Sequence, residues 1–212
     1  MFISSLHFPL TMDAILFGFG PFSKYKENPS KIIVEKMDGK IISGLRIKGI
    51  LLPVTYSEVK DIIKREIVSR KPNLALGIGL APGRNKITLE KIAINYEYSS
   101  IPDTSGMKGT GKRIDPDGPD GIFTNLNVEK IVRKLNEEKI PADISLSAGG
   151  YICNLAMYAI MQNSIKLGIK GGFVHIPCHR ELVASDMELN CPYMEIGTII
   201  KGIKIILKNF NL

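Results

Sequence analysis

Three residues of this chain have side chains that could together cleave an acyl bond. Cys153 is a candidate nucleophile, His175 a candidate base, and Glu90 a carboxylate that could orient the base. The stretch Ser145-Leu-Ser-Ala-Gly-Gly-Tyr-Ile-Cys-Asn154 passes from a strand-like run through a glycine turn into a helical pattern. Cys153 then falls in the first turn of a helix, beside unpaired backbone N–H groups and the positive end of the helix dipole. Both favour the thiolate, which is the reactive form. The same N–H groups could hold the oxyanion of a tetrahedral intermediate. Taken alone, a cysteine here reads as readily as a small core residue. Cys178 and Cys191 lie in a Pro-containing loop region without this context and are read as non-catalytic.

His175 stands near the end of an apolar strand, Gly-Gly-Phe-Val-His-Ile-Pro. If buried, its ring must be hydrogen-bonded, and a satisfied core histidine is the plain alternative. The chain has only three histidines. His7 lies in the N-terminal stretch and His179 in a loop, so His175 is the best imidazole for Cys153. It follows the nucleophile's strand–helix unit by one strand, which predicts neighbouring strand ends. Glu90, in Ile-Thr-Leu-Glu-Lys-Ile-Ala-Ile-Asn, is a carboxylate in an extended, mostly apolar segment. It could accept a hydrogen bond from His175 and fix its tautomer. Pairing with Lys91 or with solvent fits the spacing equally well.

The elements that must position these residues alternate. Ala14–Phe19, Arg46–Val54, Leu74–Leu80, Ala142–Ser147 and Gly172–Ile176 read as strands, and Ile87–Asn95 as extended. Helices are predicted from Ser30 to Met37, with Asn28 capping and Pro29 at the first position. Others are predicted from Thr55 to Arg70, from Asn127 to Glu138, from Tyr151 to Asn163 and from Met194 to Lys208. This order predicts a single-domain, three-layer α/β fold with a central, largely parallel sheet. In such folds the active site lies at the carboxyl ends of strands. Residues from about 97 to 121 are rich in Gly, Pro, Asp and Ser, a long excursion that could border the site or a subunit contact.

Composition removes other classes. The chain has 212 residues, 44% of them hydrophobic, enough for one sizeable core in one domain spanning the whole chain. No apolar run approaches the roughly 18–20 residues that cross a bilayer, and the start lacks the basic residues and cleavage site of a secretory signal. Residues 1–11 are expected to be a loose extension, or Met12 the true start. Three cysteines without CxxC spacing argue against a zinc site or a disulfide scaffold and for a reducing cytoplasm. Cys191 is left as a candidate for an inter-chain bridge. The net charge of +7 is scattered, and only 7% of residues are aromatic, so a solvated basic surface is preferred to a nucleic-acid interface.

At these residues the chain resembles pyroglutamyl peptidase I, also called pyrrolidone-carboxylate peptidase. Six blocks carry the resemblance in order: Gly18–Phe22 with Asn28–Ser30, Gly79–Arg84, Ile87–Asn95, Ile101–Asp103, Ser147–Asn154 and Gly172–Pro177. The resemblance implies an α/β/α sandwich, commonly a homotetramer, with no metal or organic cofactor. It implies Cys153 as nucleophile, His175 as base and Glu90 as the third member of a triad. It implies peptides with an N-terminal pyroglutamate as substrates, with Phe19 and Phe22 flanking the lactam ring. Asn28 would bond the lactam carbonyl, and the Leu80 backbone carbonyl would accept the lactam N–H. Aromatic faces suit a flat ring, and fixed polar groups would be left unpaired by a proline-like one. Without the resemblance, Phe19 and Phe22 read as core and Asn28 as a helix cap only.

The chain departs from that family in places. Ser100 stands where an arginine is usual before the Ile-Pro-Asp block, with Arg84 as a potential replacement. Lys91 stands where arginine is usual after Glu90. Residues 107–121 and those after Cys178 follow the family poorly. The rival expectations are a thiol amidase of other specificity on the same fold, a nucleic-acid-binding module and a catalytically silent scaffold.

Overall fold

A computed structural model describes residues 12–186 and 188–212. The expectations for residues 1–11, His7 included, lie outside the described residues. In chain order the elements are β1 Met12–Phe19, α1 Pro29–Met37, β2 Ile41–Ile42, β3 Leu45–Leu52, α2 Val59–Arg70, β4 Leu74–Leu80, β5 Ile87–Glu90, β6 Ile92–Ile94, β7 Glu97–Tyr98, β8 Thr110–Lys112 and β9 Gly121–Phe123. There follow α3 Val128–Glu137, β10 Ala142–Ser145, α4 Ile152–Leu167, β11 Lys170–Ile176, β12 Cys178–His179, α5 Arg180–Ala184, β13 Tyr193–Met194 and α6 Ile196–Lys208.

Seven strands form one sheet in the order β10-β5-β11-β4-β1-β3-β2. β1, β3, β4 and β11 are parallel, whereas β5 and β10 run against them and β2 against β3. The sheet is therefore mixed around a parallel centre. β4 is buried along its whole length, as its continuous apolar run requires of a central strand. Apolar side chains alternate between two cores. One packs β1, β3, β4, β5 and β11 against α1, α3 and α6, through residues such as Ile33, Leu76, Ile131, Val174 and Ile203. The other packs Phe17, Phe19, Ala75 and Phe173 against α2 and α4. The result is the three-layer α/β/α arrangement expected from the alternation of elements.

Two topological expectations need correction. β10 and β11 are not neighbours, because β5 lies between them. The extended run Ile87–Asn95 is two strands. It breaks at Lys91, whose N–H bonds Ser145 O and whose carbonyl accepts from Thr124 N, and β6 leaves the sheet to pair with β9. The start of α1 forms as expected: Asn28 accepts from Ser30 N at 3.1 Å and Pro29 opens the helix. The 97–121 excursion is held to the body at two points near the glycine turn. Tyr98 N donates to Gly150 O at 2.9 Å, and Tyr151 Oη donates to Pro102 O at 3.1 Å.

Candidate active site

Strand parity puts the candidate residues on one side of the sheet. Successive residues of a strand point to opposite faces, and paired positions on neighbouring strands share a face. His175 pairs with Gly79 on β4 and with Thr88 on β5. Glu90, two residues beyond Thr88, is on the same face, and so are Phe173 and Phe19. α4 covers that face and carries Cys153 in its first turn.

The buried pair comes first. Glu90 is fully buried, and its Oε1 lies 2.7 Å from His175 Nδ1. An ionised carboxylate only accepts hydrogen bonds, so the neutral ring carries its proton on Nδ1 and leaves Nε2 with a free lone pair. The same Oε1 accepts from Arg84 Nη1 at 2.6 Å, and Arg84 also donates to Thr88 Oγ1 and, at 3.1 Å, to Ser147 O. Among the described residues Glu90 Oε2 has no hydrogen-bond partner. The Ser145 hydroxyl stands at the paired register position and gives its own bond to Ser147 O. Burial pushes the Glu90 carboxyl up, but His175, Ser145 and Arg84 together outweigh it and hold the group below its ordinary range. Pairing with Lys91 does not occur: Lys91 bonds Glu129 at 2.8 Å. Arg84, which could have stood in for the arginine absent at Ser100, is committed to this carboxylate.

Cys153 meets this pair across Gly79. A Cβ built on Gly79 would lie 2.8 Å from Cys153 Sγ, so the sulfur rests directly on the strand position paired with His175. Only glycine leaves that space. α4 is fixed there by Asn154, whose amide donates to Ile94 O and Tyr96 O and accepts from Ile94 N. The N–H groups of Asn154 and Leu155 both turn back to Tyr151 O. Among the described residues the Cys153 N–H makes no hydrogen bond and is available to an incoming oxyanion.

Electrostatics at rest differ from what the helix terminus predicts. Burial pushes the Cys153 thiol up to about 12; the Glu90 charge adds to this and Arg84 opposes it. Burial holds His175 below its ordinary value, against the pull of Glu90. Both shifts favour the neutral forms of the pair in the free site, so burial acts against the helix terminus at Cys153.

Cys153 and His175 open onto a pocket of about 200 Å³ that Phe19, Phe22, Asn28 and Leu80 also line. Val54, Pro82, Ala148, Tyr151 and Ile152 complete it. Among the described residues no charged one lines it, and it is smaller than the roughly 300–1,000 Å³ of drug-sized sites. Phe19 leans on Phe173 and Phe22 on Tyr151, each at 6.3 Å between ring centres. Asn28 gives one amide hydrogen to Gly20 O at 2.9 Å and keeps the other. It is thus both a helix cap and a pocket residue. Tyr151 and Ile152 were within reach of the sequence, since they adjoin Cys153. Val54 had no signal, because only the fold brings the end of β3 here.

The family profile described as pyroglutamyl peptidase matches residues 12–210. The chain belongs to the pyroglutamyl peptidase family. It is 52% identical over 194 residues to pyrrolidone-carboxylate peptidase 1 of Saccharolobus solfataricus, covering 92% of each chain. It is 39% identical over 168 residues to the Pyrococcus furiosus enzyme, covering 78% of this chain and 81% of that one. Among solved structures, a mutant pyrrolidone carboxyl peptidase from P. furiosus superposes with a TM-score of 0.90 at 33% identity, over 94% of this chain and 98% of the other. The pyrrolidone carboxyl peptidase of Thermococcus litoralis gives 0.89 at 32% identity, over 94% and 93%. Membership confirms the expected fold and chemical class, a cysteine peptidase on a mixed α/β/α sandwich.

Proposed function

We propose that this chain, acting as one catalytic domain, removes N-terminal pyroglutamate from peptides through a thioacyl intermediate. The observation that carries the proposal is a neutral slot, walled by Phe19 and Phe22, with Cys153 at one side and the Glu90–His175 pair behind it. A slot without charge disfavours a free α-ammonium or a glutamate side chain and accepts a cyclised, uncharged ring. In this reading Cys153 Sγ attacks the pyroglutamyl carbonyl as its proton passes to His175 Nε2. Burial favours the neutral pair, so in this reading proton transfer accompanies attack. The Cys153 N–H stabilises the oxyanion, and Glu90 holds the imidazolium. The imidazolium then protonates the departing amine, and water activated by Nε2 hydrolyses the thioester.

Asn28, through its remaining amide hydrogen, is assigned to the lactam carbonyl, and the Leu80 carbonyl to the lactam N–H. The family resemblance further supports a homotetramer, and the three free cysteines support a cytoplasmic setting. No helix among the described residues is long and apolar enough to cross a membrane. The decisive assay is hydrolysis of a chromogenic pyroglutamyl amide against its prolyl and glutaminyl analogues, before and after alkylation. Equal turnover of the three substrates, or turnover that survives alkylation of Cys153, rules the proposal out.

A further inference from the structure

The catalytic geometry leaves Cys178 and Cys191 without a role. Cys178 begins β12 and is fully buried. Cys191 lies two residues before β13, which pairs in parallel with β12, so that Cys178 stands opposite Tyr193. Both side chains enter one small cluster with Leu80, Leu182 and Leu189, and Phe22 packs at its edge. Cys178 belongs to this cluster and Cys191 packs against it, and both are free thiols. Cys191 keeps part of its surface exposed, whereas Cys178 keeps none.

One reachable thiol with a second buried in the same small cluster is the arrangement that thiol–disulfide exchange can use. We propose that Cys178 and Cys191 form an exchangeable disulfide within one chain, which clasps the α5 segment to the wall of the substrate pocket. The co-reactant is a low-molecular-weight dialkyl disulfide. The Cys191 thiolate attacks one of its sulfurs, makes a mixed disulfide and releases one small thiol. Cys178 then loses its proton to solvent, attacks the Cys191 sulfur and expels the second small thiol. Two protein thiols and one small disulfide thus become one protein disulfide and two small thiols, with no other oxidant. Burial holds the Cys178 thiol protonated, pushed up to about 12, so the second step is the slow one.

The bridge would close the segment from 178 to 191, which contains α5, and so restrict the unfolded chain. Leu80 and Phe22 pack on this cluster and also line the pocket, so the clasp supports the pocket wall from behind without involving Cys153. A bridge from Cys191 to another chain would use the same chemistry with a different partner, and the experiment separates the two.

The full-length Cys153→Ala variant, in which 178 and 191 are the remaining thiols, is equilibrated with hydroxyethyl disulfide at mildly alkaline pH and blocked with iodoacetamide. Peptide mapping should then find residues 178 and 191 joined with the loss of two hydrogens, and non-reducing electrophoresis should show a monomer. Tm should rise by roughly 5–10 °C, reversibly with dithiothreitol. Adding Cys178→Ser should abolish the rise and leave Cys191 carrying one small thiol. A stable mixed disulfide on Cys191 with Cys178 intact, a Cys191-linked dimer, or two unreacted thiols would each overturn the proposal. None of these readouts uses peptide cleavage, so they stand or fall independently of the assigned activity.

Discussion

Cys153 Sγ rests on Gly79, and Gly79 is the register partner of His175 on the adjacent strand. The proposed nucleophile and base are thus placed by a helix start and a strand pairing that meet at one residue without a side chain. A methyl group there would lie 2.8 Å from the sulfur and 3.0 Å from the Phe173 ring. Gly79→Ala should therefore displace the sulfur and lower kcat/KM about 100-fold or more, since a misplacement near 1 Å costs that much. Gly197→Ala, where a Cβ meets nothing within 4 Å, is the control and should change kcat/KM by less than about twofold. Full activity in the Gly79 variant would disprove the contact.

Glu90 bonds His175 and does not line the pocket, which makes it a proposed positioning residue. Glu90→Gln should lower kcat by roughly 10²–10⁴-fold with little change in KM, because the ring loses its tautomer and its charge partner but the slot is intact. It also strands Arg84, so Tm should fall. Steady-state kinetics with a pyroglutamyl amide separates the two effects. A change confined to KM would assign Glu90 to binding instead.

Glu90, His175 and Cys153 also contribute to the pH range of stability. Glu90 is depressed in the fold, so its contribution is complete above its unfolded value of 4.5 and is lost as pH falls through the folded value. His175 is also depressed. Its contribution is complete above 6.5 and drains away below it, because the unfolded chain takes up the proton first. Cys153 is raised, so stability is complete below 9.0 and is lost between 9.0 and about 12, as the unfolded thiol ionises first. Tm should be level between 6.5 and 9.0 and decline on both sides. Cys153→Ala should make the alkaline decline shallower, the remainder belonging to Cys178, Tyr56 and Tyr151, which burial also raises to about 12. An unchanged alkaline limb in that variant would show that Cys153 does not contribute.

Much of this was legible in the sequence because local patterns encode it. The continuous apolar run of β4, the Asn28–Pro29 start of α1 and the Asn127 cap of α3 each follow from short-range physics. The strand–glycine–helix passage also located Cys153 in the first turn. What failed was non-local. Insertion of β5 between β10 and β11 depends on strand pairing, and spacing says nothing of it. The burial that raises Cys153 is a property of the packed fold, whereas the helix terminus that favours its thiolate is visible in the chain. The binding of Arg84 to Glu90, only six positions away, was missed because the turn between them decides whether the two side chains face each other.

Asn28 does two things, and they can be separated. Its Oδ1 caps α1, accepting from Ser30 N and from Ser30 Oγ at 2.8 Å. Its Nδ2 holds Gly20 O and has one hydrogen left for the pocket. Asn28→Ser keeps a good cap but removes the amide donor, so Tm should fall only by the worth of the lost bond to Gly20 O, about 1 kcal/mol. Turnover of a pyroglutamyl amide should fall roughly tenfold to a hundredfold, the worth of one hydrogen bond to a buried acceptor. A prolyl analogue, which lacks the lactam carbonyl, should be cleaved no worse than before, so the discrimination between the two narrows by the same factor. Asn28→Ala should match that loss of discrimination and also destabilise the fold by about 1 kcal/mol through the lost cap. If the serine variant kept its full preference for the pyroglutamyl ring, Asn28 would be a cap and nothing more, and recognition of the lactam carbonyl would have to come from another donor in the slot.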